Sequence, residues 1–350
     1  MHRIVHLDYL RGLAALAVML FHYQKWTVDG WDANSFLGKS GVYAVSVFFV
    51  LSGLTLTLVY EKSLSGQPAG WRAFWVKRFF RIFPLLWLCT LATVFLDETP
   101  YPTRQLLLNF SGLFGFFDPA GDIALGAWSI GDELVYYAAF PFLLWAGLRK
   151  QHLFWGVFLT SVVIGGLYAF VWTDTRLSIT TQWPVYVEPL NHAFFFLSGM
   201  VLGLWRSRWK NWPPMVFKRG LAVCVLLYVF YTPGSDPSGL ITGVNRVVFS
   251  LLVIGLTGSW YLAVPRFSRL PDRVLQWLGE ISYSIYLLHP LVFRCLKALD
   301  ARYFGGLEAW LAPVAVVLTL VAGHLSYRWV EKPAMQWGKR FILSPASPRA

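Results

Sequence analysis

Ten apolar runs of about twenty residues recur along this chain, and each is long enough for a helix to cross a bilayer. Because lipid offers no hydrogen-bond partners, such runs satisfy their own backbone groups by forming helices. The fourth and sixth runs are short or interrupted, so nine to eleven spans fit the pattern. We therefore predict an all-α, polytopic integral membrane protein with about ten transmembrane helices. The runs lie near 7–26, 42–60, 79–96, 134–148, 153–173, 190–205, 217–232, 247–264, 275–293 and 311–330.

The composition agrees with a membrane location. Hydrophobic residues make up 56% of the 350 positions and charged residues only 14%, whereas soluble domains carry about 25% charged residues. The three cysteines, Cys89, Cys224 and Cys295, lie in apolar runs and have neither disulfide nor metal-ligand spacing, so we expect no metal. No small-residue cleavage site follows His22, which indicates a retained first helix rather than a signal peptide.

The charges between the runs predict the orientation. Segment 206–219 carries a formal charge of +5 and segment 61–81 carries +4, whereas segment 97–133 carries −5. By the positive-inside rule both termini are cytoplasmic and 97–133 faces outward. The net charge of +12 is then a topology signal, and we expect no nucleic-acid partner.

Two short segments complete the organisation. Residues 105–117 are apolar but too short to span, so we expect them at the interface or dipping into the protein. We predict one transmembrane domain over 1–335 and a short cytoplasmic tail over 336–350.

The first run contains two polar side chains, Arg11 and His22. An arginine at the centre of a membrane helix costs roughly 3 kcal/mol on insertion scales. Eleven residues at about 100° each return to nearly the same face, and about 1.5 Å per residue separates the two side chains by ~16 Å along the axis. Taken alone, Arg11 could extend its side chain to the headgroups at the membrane surface, and His22 could bind a backbone carbonyl. Their common face favours a shared polar interior.

Arg78 and Arg81 lie three residues apart at the start of the third run, on one helix face. Such a pair is a plain positive-inside anchor or a phosphate clamp, because guanidinium forks match phosphate oxygens.

Two further polar residues lie at the depth of His22. Glu133 opens the fourth run, and beside it Asp132 suits a helix N-terminus; the sequence does not decide which of the two faces inward. His289 lies in the ninth run directly before Pro290, which frees a carbonyl one turn back. His289 either satisfies that carbonyl or joins His22 and Glu133 in one site built from three helices.

The two polar levels suit a long substrate. Coenzyme A carries phosphates at one end and a pantetheine arm at the other. The reach of this arm is similar to the ~16 Å that separates Arg11 and His22 along the helix axis. Phosphates held by Arg11, Arg78 and Arg81 would place a thioester near His22.

Arg11-x10-His22 in LDYLRGLAALAVMLFHY resembles the first-helix signature of the acyltransferase 3 family of bacterial membrane acyltransferases. The other matching motifs occur in the family's order and extend the resemblance over about 7–333. One departure is conservative: the usual WSLxxE is W-S-I-G-D-E here. The motifs are FFVLSG (48–53), RFFRIFP (78–84), WSIGDELVYY (128–137), SYSIYLLHP (282–290) and VEKP (330–333).

The resemblance implies O-acylation, most often O-acetylation, of surface or exported carbohydrate in the bacterial inner membrane, with acetyl-CoA or another acyl-CoA as donor. Exopolysaccharide, O-antigen and lipid-linked precursors are all possible acceptors, and glycan-assembly proteins are possible partners. The resemblance also implies that Arg11 and His22 are essential. Arg78 and Arg81 match the family's RxxR pair, and Glu133 matches its helix-4 acid. Some members carry a fused SGNH hydrolase-like domain, which we do not expect here.

We hypothesise that His22 acts as general base or carries the acyl group, with Glu133 orienting it. Trp128, Ser129, Tyr136 and His289 are the candidate substrate-binding residues, and the aromatic ones either stack on a sugar or form an interfacial belt. Two alternatives remain, a transporter and a membrane acyltransferase of the MBOAT type. Two matching halves with broken helices would favour a transporter, and the sequence shows no such symmetry. The x10 spacing and the short chain disfavour the MBOAT type.

Overall fold

The computed structural model describes residues 4–28, 30–62, 68–209, 211–264, 267–306 and 308–342. The described chain is helical and contains no strand. In chain order the helices are α1 Val5–Thr27, α2 Phe36–Tyr60, α3 Pro68–Leu96, α4 Thr103–Ser111, α5 Phe114–Phe117, α6 Trp128–Arg149, α7 Gln151–Leu167, α8 Trp183–Tyr186, α9 Pro189–Leu204, α10 Arg206–Trp209, α11 Pro214–Phe230, α12 Gly243–Ala263, α13 Arg269–Glu280, α14 Ser282–Leu299, α15 Glu308–Ser326 and α16 Lys332–Arg340.

Six helical segments among the described residues are long and apolar enough to cross a membrane. The prediction of an all-helical, multi-pass membrane protein is therefore confirmed. Helices α1, α6, α11 and α14 fall short of the same length and hydropathy criteria, so their spanning, and a total of about ten, stay predictions. The six segments are Phe36–Tyr60, Gly70–Leu96, Gln151–Trp172, Trp183–Leu204, Gly243–Ala263 and Glu308–Arg340.

Helix α2 is the central element of the bundle and the most buried of the six segments. It packs against α9 through two glycines. A Cβ atom on Gly53 would lie 1.9 Å from the carbonyl oxygen of Phe196, and one on Gly199 would lie 2.0 Å from that of Val50. Since neither carbonyl can move without breaking its helix, only glycine permits this approach, as is common between membrane helices.

The ninth predicted run, 275–293, is not one helix, which corrects the sequence prediction. Helix α13 ends at Glu280 and α14 begins at Ser282. Helix α13 crosses α1 at close range, because a Cβ on Gly279 would lie 2.3 Å from Asp8 O and one on Gly12 would lie 2.8 Å from Gly279 N. The break at Ile281 therefore directly follows the residues that cross α1.

The first residues of the predicted tail are helical. Positions 336–340 belong to α16, which packs on α3 through Phe80 and Trp337, whose ring centroids are 5.3 Å apart. Residues 343–350 of the predicted tail lie outside the described residues.

The segments of opposite charge gather at opposite ends of the bundle. At one end, which also holds the start of α1 and all of α16, Arg81 pairs with Glu331 and Arg206 pairs with Glu61. At the other end Arg294 pairs with Asp97. We call these the basic end and the distal end. The placement of the basic end in the cytoplasm stays a prediction.

The apolar segment 105–117 forms α4 and α5 and dips into the protein. Phe114 is fully buried, and a Cβ on Gly115 would lie 2.3 Å from Gly131 O. This packing holds Gly131 in the first turn of α6, and Asp132 and Glu133 follow it in the next turn.

Candidate active site

A cavity of about 460 Å³ lies at the basic end, between α1, α2, α3, α6, α13, α14 and α16. Its volume is in the range of small-molecule sites, about 300–1,000 Å³. We call it the basic cavity because five cationic side chains and three acidic ones line it. The cations are Arg11, Lys77, Arg78, Arg81 and Lys339, and the acids are Asp8, Glu133 and Glu280.

Arg11 lies on the wall of the basic cavity and is held there from two helices. Its Nη2 donates to Thr55 Oγ1 at 2.6 Å, and its Nη1 lies 3.4 Å from Asp8 Oδ1. Arg11 is therefore an ordered cation of this cavity. This is the placement that a phosphate-binding residue requires.

Arg78 and Arg81 both line the cavity, but their environments differ. Arg81 forms an ion pair with the buried carboxylate of Glu331, which also accepts from Ser284. The Nε of Arg78 is buried and has no hydrogen-bond partner among the described residues. A buried N–H without a partner is uncommon and indicates a missing ligand or water. Arg78 is thus the arginine with capacity left for a phosphate oxygen.

Glu133 faces the basic cavity, and its Oε1 accepts from Ser52 and Tyr137. Asp132 points elsewhere: it is fully buried, and neither carboxylate oxygen has a hydrogen-bond partner in the described part of the chain. The structure therefore decides between the two acids in favour of Glu133. It does not place Glu133 against His22, which was the expected contact.

The partner of His22 is His289. Nδ1 of His22 lies 2.9 Å from Nε2 of His289, and the two rings are nearly parallel with centroids 5.0 Å apart. The structure thus brings together the two histidines that the sequence placed at similar depth. It also shows what His289 does with its other nitrogen, which lies 2.8 Å from Tyr286 O.

Pro290 explains that contact. It has no N–H, so the carbonyl of Tyr286, four residues earlier, has no helical donor. Nδ1 of His289 faces this carbonyl and that of Ile285, at 3.2 Å. Carbonyls only accept, so Nδ1 must carry the proton, and in a neutral ring Nε2 then accepts.

The chain of hydrogen bonds fixes the tautomer of His22. Since Nε2 of His289 accepts, Nδ1 of His22 donates to it, and Nε2 of a neutral His22 is left with its lone pair. Within the described residues no hydrogen bond occupies that nitrogen. The arrangement holds an imidazole base in one orientation, as a general base or nucleophile requires.

The histidine pair lies just beyond the end of the basic cavity. Tyr286 lines the cavity, and its ring centroid is 6.2 Å from that of His289. The hydroxyl of Tyr286 donates to Gly126 O at 2.9 Å and forms a second hydrogen bond with Ser129 Oγ at 2.7 Å. Ser129, a predicted substrate-binding residue, therefore lines the cavity and positions Tyr286.

The structure places Trp128 and Tyr136, the predicted sugar-stacking residues, away from the basic cavity. Both are buried in the core, and neither lines the basic cavity. Trp128 packs on Trp183 and Tyr186, and Tyr136 donates to Pro189 O at 2.6 Å. Their aromatic surface is occupied by the protein itself.

Two residues of the site were missed. Lys339 lies in the segment predicted as a tail, and only the spacing of apolar residues in KPAMQWGKR (332–340) signals a helix there. Trp26 follows the first run and stacks on His22 with centroids 5.1 Å apart. Nothing near Trp26 in the sequence distinguishes it from an interfacial aromatic.

A family model described as "Acyltransferase domain" matches residues 4–328. The chain belongs to this acyltransferase family. The match covers Arg11, His22, Arg78, Glu133 and His289, and it favours an acyltransferase over the transporter alternative. No solved structure matches the chain.

Curated relatives carry related names. The chain is 27% identical to peptidoglycan O-acetyltransferase OatA of Listeria monocytogenes over 95% of its length, and 26% identical to putative O-acetyltransferase SACOL0978 of Staphylococcus aureus over 98%. It is 24% identical to putative peptidoglycan O-acetyltransferase YrhL of Bacillus subtilis over 97%. The chain spans only 56%, 60% and 56% of these relatives' lengths, respectively.

Proposed function

We propose that this protein is a membrane O-acetyltransferase of the bacterial inner membrane, which moves an acetyl group from acetyl-CoA to a hydroxyl of a cell-envelope glycan. The family membership and the names of the relatives support this proposal. The acceptor class comprises peptidoglycan, exopolysaccharide, O-antigen and lipid-linked precursors. Another acyl-CoA in place of acetyl-CoA would require no different residues.

The charge of the basic cavity suits the donor. Acyl-CoA is a polyanion, and the excess of cations over acids attracts it from solution. Arg11, Arg78 and Lys339 would bind its phosphates. Arg81, already paired with Glu331, would contribute through one remaining face of its guanidinium.

The chemistry follows from the tautomer of His22. In one route Nε2 takes the proton of the acceptor hydroxyl, whose oxygen attacks the thioester carbonyl, and the thiolate of CoA leaves. In the other, Nε2 attacks first, CoA leaves, and the hydroxyl then displaces the acyl group from the imidazole. Only the second route gives ping-pong kinetics.

Glu133 has a supporting role in this proposal. Its carboxylate holds the hydroxyls of Ser52 and Tyr137 on the cavity wall, and the ring of Tyr137 lies 5.7 Å from the guanidinium carbon of Arg78. Glu133 therefore positions Arg78 rather than His22.

The observation that carries the proposal is the His22–His289 pair at the end of a cation-lined cavity. The test is base-labile acetate on the envelope glycans of a deletion strain complemented with wild type or His22→Ala. Loss of a general base lowers transfer by about 10²–10⁴-fold, so the variant should restore no measurable acetate. His192→Ala is the control histidine, because His192 is buried against Tyr186 and Arg246 and does not line the basic cavity. Normal glycan acetate with a correctly folded His22→Ala protein would refute the proposal.

A further inference from the structure

A second cavity, of about 510 Å³, lies at the distal end of the bundle. We call it the distal cavity. The ends of α1, α3 and α14 and the loop before α6 form it, and it shares no lining residue with the basic cavity. Its polar side chains are Thr93, Asp97, Tyr101, Asp122, Arg294 and Lys297.

The distal cavity reaches the histidine pair from the side opposite to the basic cavity. Trp26 lines it, and the Trp26 ring lies parallel to that of His22, with an interplanar angle of 13°. Pro290, the residue after His289, lines it as well. Tyr286 lines the basic cavity on the other side of His289. The two histidines thus stand between two separate compartments.

The charges of the two compartments differ. The distal cavity is lined by two acidic and two basic side chains, and Asp97 is already paired with Arg294. The basic cavity has two more cations than acids. An anionic acyl-CoA therefore prefers the basic cavity, and a ligand without charge suits the distal one.

The side chains of the distal cavity suit a polyhydroxylated ligand. Lys297 donates, and the hydroxyls of Tyr101 and Thr93 both donate and accept. Asp122 Oδ2 already accepts from Trp128 N at 3.2 Å, and burial raises the pKa of this carboxyl to about 7. Trp26, Leu287 and Leu291 supply apolar surface for the C–H faces of sugar rings.

We propose that the distal cavity binds the acceptor carbohydrate, as an uncharged stretch of glycan whose reacting hydroxyl reaches His22 past Trp26. This inference rests on the proposed function and adds to it where the acceptor binds. It replaces Trp128 and Tyr136 with Lys297, Asp122 and Trp26 as the residues that contact the sugar.

Substitutions that keep the shape test the polar contacts. Lys297→Gln and Asp122→Asn should each lower glycan acetate in complemented cells by about tenfold or more, because hydrogen bonds to charged groups are worth about 1.5–3 kcal/mol. Binding of CoA to the purified variants, measured by calorimetry, should stay within about twofold of wild type, which also reports correct folding. Arg176→Gln is the matched control, since Arg176 is a distal-end cation that is exposed and lines neither cavity.

Covalent blocking tests the cavity itself. Leu125 is 60% exposed and lines the distal cavity, whereas Leu177 is 48% exposed and lines neither. In a background with the three native cysteines replaced by alanine, Leu125→Cys and Leu177→Cys are alkylated with a maleimide-linked polyethylene glycol. Alkylation should abolish glycan acetylation only in Leu125→Cys and should leave CoA binding intact in both.

The outcomes separate the two proposals. If alkylated Leu125→Cys still acetylates glycan at the rate of alkylated Leu177→Cys, the distal cavity is not the acceptor site, although the proposed function stands. If alkylated Leu125→Cys loses CoA binding, the cavity belongs to the donor and this inference is wrong. If wild type restores no glycan acetate to the deletion strain, the proposed function fails and this inference falls with it.

Discussion

His289 contacts no cavity, yet the protonation state of the proposed base depends on it. Nδ1 of His289 donates to the free carbonyl of Tyr286, so Nε2 of His289 accepts. Nδ1 of His22 must therefore donate to that nitrogen. Without this neighbour the imidazole of His22 would exchange its proton between both nitrogens and rotate. His289 is therefore a positioning residue in the proposed mechanism.

Substitution of His289 should separate positioning from binding. His289→Ala is expected to lower kcat by about 10–100-fold, the usual cost of losing a supporting hydrogen bond to an imidazole, with the KM for acetyl-CoA unchanged. In His289→Gln the amide oxygen takes the place of Nε2 and accepts from His22, so part of the activity should return. The measurement is steady-state kinetics of the purified variants.

A merely structural role for His289 predicts a different pattern. Both substitutions would then lower the thermal stability together, and glutamine would restore activity no better than alanine. Equal kcat values for the two variants at equal stability would contradict the positioning role.

The individual site residues were predictable because a charge in an apolar run has a high cost. That cost singled out Arg11, His22 and the Arg78–Arg81 pair, and the structure places the three arginines on one cavity. The contact of His22 with His289 was one of two alternatives at the sequence level, but the partner of Glu133 was not predictable. Glu133 was expected at His22 but is bound by Ser52 and Tyr137, because partners depend on helix rotation, which hydropathy does not encode.

At the scale of elements, Pro290 in α14 is what leaves Tyr286 O without a helical donor. The proline therefore acts on the site through backbone hydrogen bonding rather than through its own contacts. Such interruptions are tolerated in membrane helices when a side chain satisfies the free carbonyl, and here that side chain is His289.

Pro290→Ala restores an N–H that competes with His289 for Tyr286 O. We expect stability to be unchanged or higher, since proline costs about 3 kcal/mol within a helix, while kcat falls because His289 loses its fixed tautomer. Thermal unfolding and kcat of the purified variant are the measurements.

Pro313→Ala in α15 is the matched control, because Pro313 also lies inside a helix but is exposed and lines neither cavity. It should change stability alone. A Pro290→Ala enzyme with wild-type kcat would show that the proline is not needed to set the tautomer.

The C-terminal ends of α1, α2, α3 and α6 were predictable to within a few residues, whereas α3 begins at Pro68, well before the predicted start at 79. The break between α13 and α14 was not predictable, because hydropathy continues through Ile281. It is caused by the close approach of Gly279 and Gly12, a tertiary contact between segments more than 260 residues apart. For α16 the sequence offers only the spacing of apolar residues in KPAMQWGKR, and the structure adds the packing of Trp337 on Phe80 of α3.

At the scale of the whole molecule, the histidine pair lies between the basic cavity on one side and the distal cavity on the other. By the positive-inside rule we expect the basic end to lie in the cytoplasm, where acetyl-CoA is made. The protein would then pass an acetyl group between the two sides of the membrane while CoA stays on one side. The arrangement of the two cavities therefore predicts from which side of the membrane acetyl-CoA is used.

Inside-out membrane vesicles expose the cytoplasmic face, and right-side-out vesicles expose the opposite one. Acetyl-CoA added from outside should support glycan acetylation in inside-out vesicles and fail in right-side-out vesicles, because a polyanion does not cross the bilayer and the cations that attract it lie at the basic end. Permeabilisation with detergent should make the two preparations equal, which controls for the amount of enzyme. Arg78→Gln should raise the KM for acetyl-CoA in inside-out vesicles by about tenfold, as expected for one lost charge-assisted hydrogen bond. If sealed right-side-out vesicles use external acetyl-CoA as well as inside-out vesicles do, the orientation is reversed, and the basic end, although built for an anionic donor, faces the outside.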